Sequence, residues 1–300
     1  MIRSEADIWN SKDRTVISEF RMSFSNSYPE LEKLKNGFQI IAALLRIMRI
    51  AWKRKEPLGF GVLSRHDQVE CFEWWKKESV EYILYTSVAL EGNPAKMLEA
   101  VCHELGHIFL KHDPGHAGLS IGEASDLSIM SEKYYRLYEK NSNDNEHAAD
   151  LFTACIAFHP HDDFLKELWK NPLDARILCK RFHVPLDLSI QMIMAYDDDI
   201  HFFWVDCNRK FIYERIPDIY PDQAKSFLNN HEALMENPES ALCKAIRTKS
   251  DAQGNATAGV FQFFCRAFIR DNGDYIVRVW TYFCLLHLFF HARRGSVPRP

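Results

Sequence analysis

Apolar residues recur along this chain with two different periods. Phe38, Ile40, Ile41, Leu44, Leu45, Met48 and Ile50 return at close to 3.6 residues and predict a helix. The basic run Lys53-Arg54-Lys55 that follows suits the C-terminal end of that helix. Tyr82 to Val88 is a run of β-branched and aromatic residues and predicts a strand. Asn93-Pro94 then predicts a helix start, because Asn caps well and Pro fits the first helical position. Met97, Leu98, Val101, Cys102, Leu105 and Ile108 form the inward face of this helix, and Asp113 before Pro114 and Gly115 requires it to stop by His112. The polar cluster Asn141 to Asn145 prepares a further helix from Glu146 to about Phe158, with Ala148, Ala149, Phe152, Cys155 and Ile156 as its stripe and Pro160 as its end. Short helices are predicted over 162–196.

After Asp197-Asp198-Asp199 the pattern changes. Phe202 to Val205 and Lys210 to Tyr213 read as strands around the turn Asp206 to Arg209. Val260 to Ile269 and Tyr275 to Phe283 read as a hairpin closed by Asp271-Asn272-Gly273-Asp274, in which Asn-Gly is a strong turn signal. A helical segment is expected between the two pairs, over about 221–247. The expected class is α+β, with a mainly helical first part that carries a small antiparallel sheet and a β-containing α+β domain after it. The expected divisions are a helical N-terminal region 1–60, a domain 61–197 with irregular sequence over about 114–144, and a domain 198–300.

Composition narrows the function classes. The chain has 300 residues, is 47% hydrophobic and 26% charged, and has a formal net charge of −4. That supports a real core and argues against a broadly basic nucleic-acid surface. The run at Lys53 reads as a solvated helix end. Eight cysteines are scattered among mostly apolar neighbours without C-x-x-C spacing, as free thiols in a reducing cytosol would be. The start Met1 to Asp7 lacks the basic-then-apolar order of a secretory signal. The apolar runs Phe38 to Ile50 and Val279 to Ala292 fall short of the ~20 residues that a membrane-spanning helix needs. A cytoplasmic protein without membrane or direct nucleic-acid partners is therefore expected.

The chemistry concentrates in His103-Glu104-Leu105-Gly106-His107. Residues four apart share a helix face, so both imidazoles can reach one ion. This is the H-E-x-x-H pattern of zinc hydrolases, in which the Glu acts as general base and does not bind the metal. Hydrolytic zinc needs a third protein ligand and one position left for water. His112 and Asp113 lie nearest, but Leu110 stands where a chain-bending glycine would be required. His116 follows a Pro-Gly turn that does not set its position. Glu146 and Asp150 stand i,i+4 on one helix face. Glu146 can ligate, and Asp150 can accept a hydrogen bond from the far nitrogen of a ligating His. His147 points about 100° away from Glu146 and is not expected to ligate.

The order H-E-x-x-H followed by N-E-x-x-x-D resembles the thermolysin-type metallopeptidases. More narrowly, Glu146 to Ala154 followed by Pro160 resembles the E-x-x-A-(D/N)-x-F-A…P segment of the ImmA/IrrE family of zinc metallopeptidases. Arg181-Phe182-His183-Val184-Pro185 is similar to a segment that follows that family's metal helices. The match covers about 80–195. Thr153 departs from the more usual Ala, and the spacing between His107 and Glu146 exceeds the family's, which marks 114–144 as an insertion.

The resemblance implies a zincin-like fold for the first domain and one Zn2+ held by His103, His107 and Glu146. It implies Asp150 behind a histidine and Glu104 as catalytic base. It implies a cytoplasmic endopeptidase that cuts a particular intracellular protein, with a helix-turn-helix repressor as the candidate substrate. Strand 82–88 could pair with an extended substrate if it lies at a sheet edge. Tyr134, Tyr135, Tyr138, His159 and His161 are the candidate donors to a reacting oxyanion.

Two readings compete. One is a regulatory or binding protein with a structural or degenerate zinc site and a C-terminal sensor domain. The other is a DNA-binding repressor using a helix-turn-helix at 178–193, against which the charge balance counts.

Overall fold

In the computed structural model, described residues are 8–48, 50–55, 69–76, 79–87, 90, 92–110, 142–170, 174–197, 201–215, 237–258 and 261–281. The chain divides into two compact units between Tyr196 and Asp197. Both mix helices with strands, so the protein is α+β.

The first unit holds helices α1 (Ser11–Ser27), α2 (Gly37–Ile47), α3 (Pro94–Phe109), α4 (Ser142–Ala157), α5 (His161–Lys170), α6 (Ala175–Phe182) and α7 (Leu186–Tyr196). It also holds strands β1 (Ala51–Lys55), β2 (Val69–Lys76) and β3 (Ser79–Ser87). α1 starts from a reciprocal cap. The Asn10 side chain accepts from Lys12 N, and Asp13 accepts from Asn10 N at 2.7 Å. α3 starts as its sequence requires, with Asn93 accepting from Lys96 N and Pro94 in the first turn. It stops at Phe109, where Leu110 N bonds back to Gly106 O.

α3 lies along α4, and their contact forms the core of the unit. Leu98, Val101, Cys102 and Leu105 from α3 and Ala149, Leu151, Phe152 and Ala157 from α4 are fully buried. Phe109 stacks on Phe152 at 5.3 Å, and Phe20 and Phe24 of α1 close around them. α1 and α2 both pack on α4. Residues 8–47 therefore belong to the same unit as the metal-motif helices and do not form a separate N-terminal region. The reason is compositional: Val16, Ile17, Phe20 and Phe24 give α1 an apolar stripe that only α4 and its neighbours cover.

Several expectations change here. Lys53-Arg54-Lys55 lies on β1, not at a helix end, because α2 has already stopped at Ile47. The sheet has the order β1-β3-β2, with β1 parallel and β2 antiparallel to β3. It is mixed, not antiparallel. β3, which includes residues 82–87 of the predicted strand, is central and hydrogen-bonded on both sides. It therefore has no edge to offer an extended substrate. α4 begins at Ser142, so Asn145 lies inside the helix. The irregular stretch 114–144 falls almost wholly outside the described residues.

α6, a turn with His183 in the left-handed region, and α7 do follow one another as helix, turn, helix. However, Leu186, Leu188, Ser189, Ile190, Gln191, Met192, Ile193, Met194 and Ala195 are all buried. A recognition helix must expose its face to a groove. α7 spends its face on the core instead, which removes the helix-turn-helix reading of 178–193.

The second unit holds β4 (His201–Val205), β5 (Phe211–Arg215), α8 (Ala241–Thr248), β6 (Ala252–Ala258), β7 (Phe261–Ile269) and β8 (Tyr275–Thr281). Its strands form one antiparallel sheet in the order β5-β4-β8-β7-β6. The β7–β8 turn is closed by Arg270 N to Asp274 O, with Gly273 at φ +87°. β6 carries few large residues and gives little strand signal in the sequence. It is placed by α8, whose N-terminal backbone approaches Gly254 so closely that a Cβ there would lie 2.3 Å from Glu239 O. Of the helix expected over 221–247, the described part is α8 alone: Asn237 to Ser240 form a turn and cap that start it, and 216–236 lie outside the described residues. No helix among the described residues is long and apolar enough to cross a membrane.

Candidate metal centre

His103 and His107 stand one turn apart on α3, and Glu146 reaches them from the first part of α4. One ligand atom from each residue lies within 4.8 Å of the other two. His103 Nε2 is 3.0 Å from His107 Nε2 and 3.2 Å from Glu146 Oε2. His107 Nε2 is 3.5 Å from Glu146 Oε1. Among the described residues this is the group of His, Cys, Asp and Glu that can hold a metal ion.

The helix spacing alone does not produce this convergence. α3 and α4 must also approach closely, and Gly106 allows it. A Cβ at Gly106 would lie 3.1 Å from Ala149 Cα and 3.2 Å from Ala149 O. Thr153, one turn beyond Ala149, is buried and donates its hydroxyl to Ala149 O at 2.9 Å, so its polarity is satisfied inside the helix.

Asp150 fixes the tautomer of His103. Its Oδ1 lies 2.8 Å from His103 Nδ1. A carboxylate only accepts, so Nδ1 carries a hydrogen and Nε2 is the nitrogen directed to the cluster, able to donate an electron pair to an ion once its own proton is lost. Burial opposes charge on His103, but the hydrogen bonds to Asp150 and Glu146 outweigh it and raise its pKa to about 10. Burial would likewise raise Asp150, and the hydrogen bond from His103 reverses this and lowers it to about 2. The pocket thus favours positive charge.

These donors fit zinc. Two imidazole nitrogens and a carboxylate are a hydrolytic donor set, and they leave a fourth position for water. Bonds of about 2.0–2.1 Å in a tetrahedral site separate two nitrogens by roughly 3.3 Å, close to the observed His pair. Cys102, next to His103, is fully buried on the core side and its thiol is pushed well up by burial. Glu104 follows His103 on α3 and is half-buried.

The other candidates part company with the site. His112, Asp113, His116, Tyr134, Tyr135 and Tyr138 lie outside the described residues. His159 is buried and its Nε2 bonds to Leu34 O at 2.9 Å. His161 packs against Tyr196, with Nε2 3.2 Å from the hydroxyl. Neither is held as an oxyanion donor would be. His147 turns away from the cluster to Asp13 of α1, with Nε2 2.8 Å from Oδ1. Nothing in the sequence pattern points to Asp13, whose partner is so distant along the chain.

No family model and no curated protein matches the chain. A solved structure named as a Mycobacterium tuberculosis transcriptional regulator is similar in fold, with a TM-score of 0.50 at 13% identity over 94% of this chain and 92% of that one.

Proposed function

We propose that this protein is a zinc-dependent endopeptidase of the ImmA/IrrE type. It acts in the cytoplasm on a particular protein, for which a helix-turn-helix repressor is the candidate. One observation carries the reading: His103, His107 and Glu146 converge within 4.8 Å, with Asp150 behind His103. Glu104 occupies the place that the hydrolytic pattern requires of a base.

Bound zinc would supply an acidified water and polarise the substrate carbonyl. His103 and His107 would hold the ion through Nε2, and Glu146 through its carboxylate. Asp150 keeps the hydrogen on His103 Nδ1, so Nε2 is the nitrogen that would give up its proton and bind. Glu104 accepts the proton of the attacking water and passes it to the leaving amine.

The purified protein should bind one equivalent of zinc. Glu104→Gln should retain the metal and lose cleavage of the protein's substrate, with helix-turn-helix repressors as the first proteins to try. Absence of zinc binding, or full activity in the variant, overturns the reading. A second reading, a regulator whose zinc site is structural, draws support from the name of the structural neighbour. On that reading Glu104→Gln would leave the protein's function intact.

A further inference from the structure

Glu146 is the most exposed of the three ligands, with 54% of its side chain accessible. A half-exposed carboxylate does not hold its own direction; the helix that carries it must be held. Successive residues of α4 point about 100° apart and meet different partners. Glu146 meets the histidines, Ala149 meets Gly106, and Asp150 meets His103. His147 meets Asp13. The last contact comes from outside the two metal helices.

Asp13 is 2% exposed, and both its oxygens are engaged. Oδ2 accepts from Asn10 N at 2.7 Å, which ties it into the cap of α1. Oδ1 lies 2.8 Å from His147 Nε2. The Trp9 ring meets His147 edge-on at 6.5 Å, and Trp9 N donates to the buried Gln191 Oε1 of α7. The start of α1 is thus anchored on one side to α7 and on the other to the residue next to the third ligand.

We infer that Asp13, through His147, is a positioning residue for Glu146: it sets the rotation of α4 about its axis and so aims the carboxylate at the two histidines. This rests on the zinc reading above. It makes α1 a working part of the metal site, although α1 contributes no ligand.

The test is zinc affinity by competition with a chromogenic chelator, measured beside the melting temperature of the metal-free protein. Asp13→Ala should weaken zinc binding about tenfold, as loss of a supporting partner does elsewhere. Asp13→Asn, which keeps an acceptor oxygen, should recover most of that affinity. His147→Phe should match Asp13→Ala, and the double variant should be no worse than either single one. Asn10→Ala loosens the same cap without touching His147. It should lower the melting temperature and leave zinc affinity unchanged. The inference is overturned if Asp13→Ala binds zinc like the wild type, or if Asn10→Ala loses as much affinity as Asp13→Ala. Wild-type protein that binds no zinc removes the underlying reading as well, so the two failures are distinguishable.

Discussion

Gly106 faces Ala149 across the α3–α4 contact so closely that a Cβ there would lie 3.1 Å from Ala149 Cα, and the neighbour would have to give by a few tenths of an ångström. The two nearest atoms are helix backbone and the third is the Ala149 Cβ fixed to it, so none can step aside as a flexible side chain could. Gly106→Ala should therefore push the two helices apart. Overpacking of this kind costs about 1–3 kcal/mol. The same movement draws Glu146 away from His103 and His107, so zinc affinity should fall together with the melting temperature. A variant that is more stable through better helix propensity, with unchanged zinc binding, would contradict this.

His103 and Asp150 give the metal-free protein a pH dependence of known sign. His103 is raised to about 10, so its contribution is fully present below the unfolded value of roughly 6.5 and disappears as pH rises toward 10. Asp150 is lowered to about 2, so its contribution is present above roughly 4 and disappears as pH falls toward 2. The melting temperature of metal-free protein should decline between pH 6.5 and 10, and Asp150→Asn should flatten that decline. Zinc must displace the proton on His103, so its affinity should rise across the same interval. Calorimetry in buffers of different ionisation heat would register the released proton.

Gln191 is buried on α7 and accepts the backbone hydrogen of Trp9 at 3.1 Å. Gln191→Met keeps the volume and removes the acceptor, leaving a buried N–H without that partner. The expected cost is about 1–3 kcal/mol, read by urea denaturation. No change in stability would mean that water reaches the Trp9 amide.

Asp274 organises the second unit. It accepts from Trp204 Nε1 at 3.0 Å, from Cys207 N at 3.1 Å and from Asn272 Nδ2 at 2.8 Å, and it lies 3.3 Å from Arg270 Nη1. Arg270 is buried over the Trp204 ring. Asp274→Ala would leave that guanidinium buried without this counter-charge, a change that costs about 3–5 kcal/mol. The second unit should unfold at markedly lower denaturant, followed by the fluorescence of its tryptophans.

The elements that are legible in the sequence are those set by local physics. Asn93-Pro94 starts α3 because a capping oxygen and a fixed φ suit a helix start wherever they occur. Asn272-Gly273 turns the β7–β8 hairpin because Gly273 tolerates positive φ. The i,i+4 spacings of His103 with His107 and of Glu146 with Asp150 place each pair on one helix face before any tertiary contact forms. Other features depend on residues far apart in the chain. β1 and β6 carry weak strand patterns and exist because β3, β7 and α8 lie beside them. The central position of β3 is a matter of which strands flank it, and the pattern of a single strand does not hold that information. The burial of α7 likewise follows from what packs on it. The sequence by itself determined which residues could bind a metal and on which helix faces they stand, because helical spacing is a local property. Only the tertiary structure decided that the two helices meet at Gly106 and Ala149 and that Asp13 reaches His147, because these contacts need the backbones to approach and the core to close around them.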